Sequence, residues 1–260
     1  MKKLLNSMMC VMAAASLGFV SCKNDVNITV SGSSSVAPVM EKLAAEYEKT
    51  NNVRITVHTS SSGAGISDTQ NGLNDFGMSS RELKSSEEGV SGETLCMDGI
   101  ALVVGKGCSV SNVNFSDVKA LFEKGTQIPG TPITAGVGRD ASSGTRSAFD
   151  ELLKIEGEYD STVATLAETG NVIEAIQGSD NSIGYISFGS LKDTVKAVSL
   201  DGVKCSADTI KNKSYSLQRP FVLVTSDKKE LSPAAKKFYD FCMSSEAQKI
   251  ISGSGYISVR

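Results

Sequence analysis

Ile28-Thr29-Val30-Ser31-Gly32-Ser33-Ser34-Ser35-Val36-Ala37-Pro38-Val39-Met40-Glu41-Lys42-Leu43-Ala44-Ala45-Glu46-Tyr47 holds one complete folding unit, and its reading decides the fold. Ile28-Thr29-Val30 is a short β-rich run, and Gly32 to Ser35 is a polar turn. Beyond it Val36, Val39, Met40, Leu43, Ala44 and Tyr47 recur at helical spacing, which predicts an amphipathic helix from about Val36 to Lys49. Ser35 is placed to cap that helix, and Pro38 sits in the first turn, where a missing N–H costs nothing. Strand, polar loop, helix then repeats: Val53 to Val57 leads into Thr59-Ser60-Ser61-Ser62-Gly63-Ala64-Gly65 and a helix from Ile66 through Asn71.

Outward from there the same alternation continues. Further strands are expected at 75–78, 99–105, 133–137, 183–187 and 221–225, and helices at 116–123, 143–155, 171–177 and 232–243. Strands alternating with helices imply an α/β fold with mostly parallel sheets flanked by helices. No tandem repeat or low-complexity linker divides the chain, so any two lobes must be interleaved. The apolar runs Gly99 to Val104 and Arg219 to Val224 are the best candidates for segments crossing between an outer lobe built from both chain ends and an inserted one. The alternative that periodicity leaves open is that both are buried core strands of a single sheet.

The chain has 260 residues, 40% of them hydrophobic and 21% charged, which is enough apolar surface for real cores and excludes a disordered chain. A net charge of -3 with both signs mixed throughout lacks the basic footprint of a nucleic-acid binder. The start is different in kind: Met1-Lys2-Lys3, an apolar stretch from Leu4 to Val20, then Ser21-Cys22. This is the layout of a secretory signal peptide spanning 1–21, cleaved on maturation. Phe19-Val20-Ser21-Cys22 resembles a bacterial lipobox, which predicts acylation of Cys22 by chains such as palmitate and a mature body of charge -5 tethered to the bilayer outside the cytoplasm. With Cys10 in the signal and Cys22 at the anchor, Cys96, Cys108, Cys205 and Cys242 remain, with no CxxC element. They read as free buried thiols or an incidental bridge, with no chemical role.

Three segments share one design, a Gly/Ser loop that follows a strand and opens a helix: Gly32 to Ser35, Ser61 to Gly65, and Arg139-Asp140-Ala141-Ser142-Ser143-Gly144-Thr145. Each offers unpaired backbone N–H groups, the positive end of a helix dipole and hydroxyl donors at one point. One such loop is an ordinary cap. Three together, with an arginine able to give two parallel N–H bonds, suit a tetrahedral oxyanion. Other chemistries find little support. His58 is the one histidine, on a strand-like segment, without a nucleophile elbow. Gly136-Val137-Gly138 lacks the third glycine and acidic residue of a dinucleotide loop, and no P-loop exists. Tyr185 and Phe188 read as core or cleft wall. No cofactor, metal or enzymatic activity is expected; the rival from another class is a phosphoesterase using Ser143 as nucleophile, which lacks an evident base.

Gly32-Ser33-Ser34-Ser35-Val36-Ala37-Pro38, Ser61-Ser62-Gly63, Asp75 to Arg81, Arg139 with Ser143-Gly144-Thr145, and Ser182-Ile183-Gly184-Tyr185 resemble, in order and spacing, the phosphate-binding lipoproteins of bacterial phosphate-specific ABC transporters. That resemblance implies a type II periplasmic-binding-protein fold of two lobes whose cleft closes on inorganic phosphate for delivery to permease subunits. The lobes it suggests are 22–103 with 221–260, and an inserted 104–220. By position it implies Ser34 as a hydroxyl donor, Ser35 as a backbone donor, Ser61 and Ser62 in the second loop supported by Gly63, Arg139 as the ligand arginine, and Ser143, Gly144 and Thr145 as the anion cradle. Ser80 stands where many relatives place an aspartate that accepts the proton of hydrogen phosphate and repels sulfate, so sulfate or another oxyanion is the alternative ligand. Asp140 is expected to hold Arg139 flat, and Arg81 to be either a second cleft cation or a solvated charge.

Overall fold

The computed structural model describes residues 26–260; the signal segment 1–21 and the acylation expected at Cys22 lie outside the described residues. The chain opens with β1 (Val26–Ser33), α1 (Ala37–Glu48), β2 (Val53–Ser60), α2 (Ser62–Gln70), β3 (Phe76–Ser79) and the long β4 (Val90–Gly105). Next come β5 (Asn112–Val113), α3 (Phe115–Lys124), β6 (Ala135–Arg139), α4 (Gly144–Leu153), β7 (Ala164–Leu166), α5 (Thr169–Gln177) and β8 (Ser182–Ser187). A single turn at Phe188–Ser190 leads to β9 (Val195–Ala197), β10 (Ser199–Leu200), α6 (Ala207–Lys211), β11 (Gln218–Ser226), α7 (Pro233–Cys242), α8 (Ser245–Gly253) and β12 (Ile257–Ser258).

The main sheet runs β2-β1-β3-β11-β4-β8-β6-β7, with β9 and β12 also pairing β4. Its two ends, β2-β1-β3 and β8-β6-β7, are parallel, and each is built from the strand-helix-strand units read in the sequence. The middle is antiparallel, and there β4 changes partners: Val90 to Gly99 pairs with β11, whereas Ile100 to Val104 pairs with β8. The two largest cores divide at that point. Leu95 and Cys96 of β4 pack with Val30, Met40, Leu43, Phe76, Phe221 and Phe238, and Ile100, Leu102 and Val104 pack with Phe122, Phe149 and Tyr185. The molecule is therefore a two-lobed α/β protein with one strand contributing to both cores. The half of β4 before Gly99 was not anticipated, because Ser91, Gly92, Glu93 and Thr94 break the apolar run while still forming ladder bonds to β11. Also unanticipated were α6, α8 and the short strands β5, β7, β9, β10 and β12.

Helix α1 starts one residue later than expected and has no side-chain cap; Ser35 spends its hydroxyl elsewhere. Helix α2 starts four residues earlier, at Ser62, because the Ser61 side chain accepts from the Ala64 N–H at 3.1 Å and draws Gly63 and Gly65 into the helix. Gly65 is needed there: a methyl group would lie 2.6 Å from the Gly32 Cα of β1. Cys96, Cys108, Cys205 and Cys242 are all free and buried, and burial pushes the thiols of Cys96, Cys205 and Cys242 up, away from reactivity.

Where β4 and β11 meet, Arg219 Nη2 lies 3.3 Å from Asp98 Oδ2, both side chains sealed from solvent, and Arg219 Nη1 donates to the Ser80 carbonyl at 3.1 Å. Burial pushes the Asp98 carboxyl up to about 6 against the pull of Arg219, and also lowers Arg219, so the attraction does not fully offset desolvation. Breaking the pair strands a buried guanidinium. Asp98→Ala is expected to destabilise the fold by about 3–5 kcal/mol in urea unfolding. Because the folded pKa is raised, the stabilising share of Asp98 is complete below the unfolded value near 4 and is lost as pH rises through about 6. The deficit of Asp98→Asn relative to wild type should therefore narrow between those pH values.

Candidate oxyanion site between the lobes

Four helices present their first turns to one region. Ser34 and Ser35 precede α1, Ser62 opens α2, Gly144 and Thr145 open α4, and Thr169 opens α5. Their hydroxyls form one continuous cluster. Ser35 Oγ lies 2.9 Å from Thr145 Oγ1 and 3.1 Å from Thr169 Oγ1, and Ser34 Oγ is 3.3 Å from Thr169 Oγ1. On the other flank Ser80 Oγ is 3.4 Å from Thr145 Oγ1 and 3.3 Å from Ser62 Oγ. Ser34, Ser35, Ser62 and Ser80 belong to the β1-β2-β3 side, Thr145 and Thr169 to the β6-β7-β8 side, so the cluster straddles both lobes. Each first turn leaves backbone N–H groups without intrahelical acceptors, and each adds up to about half a positive charge at its end.

Arg139, the last residue of β6, enters this cluster with 2% of its surface exposed. Its Nη1 donates to Thr169 Oγ1 at 3.2 Å and its Nη2 to Ser34 Oγ at 3.2 Å. The guanidinium is held by neutral acceptors, Nε on the Leu166 carbonyl at 3.2 Å and Nη2 on the Ala167 carbonyl at 2.6 Å. Its neighbours make the contrast. Of the four buried arginines among the described residues, Arg81 pairs with Glu87, Arg146 with Asp150 and Glu158, and Arg219 with Asp98; Arg139 has no ion-pair partner. Desolvation accordingly lowers its pKa, only partly opposed by Tyr185, Asp140 and Glu168. A buried cation faced by hydroxyls, first-turn N–H groups and no carboxylate is an environment short of one anion.

The structure thus brings together Ser34, Ser35, Ser62, Ser80, Arg139, Gly144 and Thr145. Ser61 and Ser143 border them as caps, accepting from the Ala64 and Arg146 N–H groups. Gly63 bridges the lobes by donating its N–H to the Ser142 carbonyl at 3.2 Å. Two expectations are corrected. Arg81 is neither a cation of the hydroxyl cluster nor a solvated charge: it is buried beside the neighbouring groove, and its Nη1 and Nη2 engage both oxygens of Glu87 at 2.8 and 2.6 Å. Asp140 does not hold Arg139; its carboxylate folds back to accept from the N–H and hydroxyl of Ser142, and backbone carbonyls from β7 onward do the holding. Thr169 was missed. Its signal was present, since Thr169-Gly170 opens a helix in the same manner as the three loops singled out, but that helix was expected to begin at Asn171. His58 is exposed on β2. A cavity of about 780 Å³ forms a groove alongside, lined by Arg81, Lys84, Arg146, Asp150 and Arg219, and does not include the hydroxyl cluster.

Comparison with known proteins agrees in fold and in kind. A substrate-binding protein assigned to a phosphate ABC transporter of Clostridium perfringens, solved with bound phosphate, is 34% identical, with a TM-score of 0.85 over 90% of this chain and 100% of its own. An ABC-type phosphate transport receptor from Vibrio cholerae is 30% identical, with a TM-score of 0.71 over 88% of this chain and 99% of its own. The phosphate-binding protein PstS of Borreliella burgdorferi is 26% identical across 92% of this chain and 94% of its own. The PBP superfamily domain matches residues 21–246, and with that span and the whole-length Clostridium relative the chain belongs to this superfamily, among the substrate-binding proteins of phosphate ABC transporters.

Proposed function

We propose that this protein is an extracytoplasmic receptor that captures inorganic phosphate between its lobes and hands it to the permease subunits of an ABC importer. The observation that carries this reading is Arg139, a buried guanidinium without a counter-ion among the described residues, ringed by hydroxyls from both lobes. A phosphate dianion there exchanges water for first-turn N–H groups of α2 and α4, the hydroxyls of Ser34, Ser35, Ser61, Ser62, Ser80, Ser143, Thr145 and Thr169, and two guanidinium N–H bonds. Because the donors come from both lobes, the ligand stabilises the closed arrangement over the open one. In this reading the lobes that move divide within β4 near Gly99, where the strand changes partners, rather than at the expected 103, and again where β11 begins. Binding involves no chemical step. Calorimetry with phosphate tests the reading directly, and phosphate at a hundred times its Kd should stabilise the fold by about 2.7 kcal/mol. Loss of any phosphate-dependent rise in Tm would falsify it.

One observation favours a broader ligand range. Among the described residues no carboxylate oxygen hydrogen-bonds to the cluster, and Ser80 can donate as readily as accept. Sulfate should therefore displace phosphate in a competition titration, with a preference that weakens as pH falls and phosphate loses charge. Complete indifference to sulfate would mean that another acceptor reads the phosphate proton. The membrane anchor follows from the lipobox reading of Cys22: radiolabelled palmitate should enter the wild-type protein, and Cys22→Ser should be unlabelled and released from the membrane fraction.

A further inference from the structure

The receptor reading gives a role to the Arg139 side chain but leaves unexplained why its backbone is gripped so fully. The Arg139 N–H donates to the Tyr185 hydroxyl at 3.0 Å. That hydroxyl lies 2.9 Å from the Tyr159 hydroxyl, which donates to Asp150 Oδ1 at 2.5 Å. The proton order follows from the donor count: Tyr159 commits its only proton to the carboxylate, so Tyr185 donates to Tyr159 and receives the Arg139 N–H on a lone pair. Every donor in the chain points toward Asp150. From the opposite side Arg146 closes the loop, with Nε on Asp150 Oδ2 at 3.3 Å, Nη1 on the Arg139 carbonyl at 3.4 Å, and its guanidinium carbon 4.1 Å from the Tyr159 ring centre. Both peptide groups of Arg139 are thereby tied to one carboxylate.

Packing holds the relay rigid. Tyr185 is fully buried and stacks on Phe149 with ring centres 3.9 Å apart, while Phe122 meets Phe149 and Tyr159 edge-on. This also accounts for Gly138 in Gly136-Val137-Gly138. A methyl group at Gly138 would come within 2.7 Å of the Tyr159 ring, so only glycine lets the phenol reach under β6. Burial raises both phenols, which keeps their protons in place. The far end of the relay, Asp150 and Arg146, faces the groove between the lobes.

We infer that Tyr185, Tyr159, Asp150 and Arg146 are positioning residues that clamp the Arg139 backbone by its N–H and C=O, presenting the guanidinium to the ligand in one orientation. This inference rests on the phosphate reading for its affinity readout. The test compares Tyr159→Phe and Asp150→Asn with wild type by phosphate calorimetry, Tm and the Arg139 backbone amide resonance. Tyr159→Phe should weaken phosphate binding about tenfold, a misplacement effect, and Asp150→Asn somewhat less. In an Arg139→Lys background the same substitutions should change affinity at most about twofold, because the positioned group is gone. The Arg139 amide proton should move upfield and exchange faster in both variants. If wild type binds phosphate and Arg139→Ala does not, yet both relay variants bind like wild type and only lose Tm, the network is packing and the inference is overturned. If wild type itself ignores phosphate, the receptor reading fails, and an unmoved Arg139 amide resonance in Tyr159→Phe sinks the relay separately.

Discussion

Arg139→Ala is expected to weaken phosphate binding by at least about 2 kcal/mol, roughly thirtyfold, and by up to about 5 kcal/mol if the remaining donors cannot re-form around the anion. Wild-type Arg139 reaches Ser34, Thr169 and the Leu166 and Ala167 carbonyls at once, a planar fork that no other side chain reproduces. Arg139→Lys should consequently recover only part of the loss, because an ammonium is a single point of charge. The ligand-free protein should respond differently. Removing a desolvated, unpaired cation releases a cost that offsets the hydrogen bonds lost at Leu166 and Ala167, so its Tm should change little. Calorimetry combined with thermal melts separates the two effects. Wild-type phosphate affinity in Arg139→Ala would place the anion elsewhere.

Gly144→Ala should be the second most damaging change, by a different route. A Cβ at this first position of α4 would lie 2.1 Å from Ser62 Oγ, 2.7 Å from Ser62 Cβ and 2.9 Å from Ser80 Oγ, all on the opposite lobe. The clash exists only when the lobes are together. Overpacking of this size costs about 1–3 kcal/mol, so affinity should fall about fivefold to more than a hundredfold while unfolding of the empty protein is nearly unchanged. Small-angle scattering should show less compaction on adding phosphate. Gly170→Ala, in the first turn of α5 beside Thr169, is the matched control, since a methyl group there meets nothing within 4 Å. Gly63→Ala should fall between them, its Cβ 3.3 Å from the Ser142 carbonyl. A Gly144→Ala protein that binds and compacts normally would mean that the lobes need not approach this closely.

Much of the fold and part of the site were legible in the chain. Helical spacing located α1, α3, α4 and α7 to within one or two residues because an apolar stripe and its first-turn cap act over a few positions. The three Gly/Ser loops stood out for the same reason. Helices α6 and α8 were not seen, one being a single short turn and the other broken in pattern by Ser245, Gln248 and Ser252. Thr169 escaped because a helix start was placed two residues late.

Sequence alone determined the alternation of strands and helices, the hydroxyl-rich loops before them and a single arginine in the third loop, since each is encoded by neighbours in the chain. Tertiary structure alone decided which buried arginine, among the described residues, remains without a counter-ion. Arg81 finds Glu87 six residues away, but Arg139 meets Ser34 across 105 positions and is steadied by Leu166 and Ala167 rather than by adjacent Asp140. Whether a charge is satisfied depends on the groups that surround it in space, and folding brings those groups from distant parts of the chain.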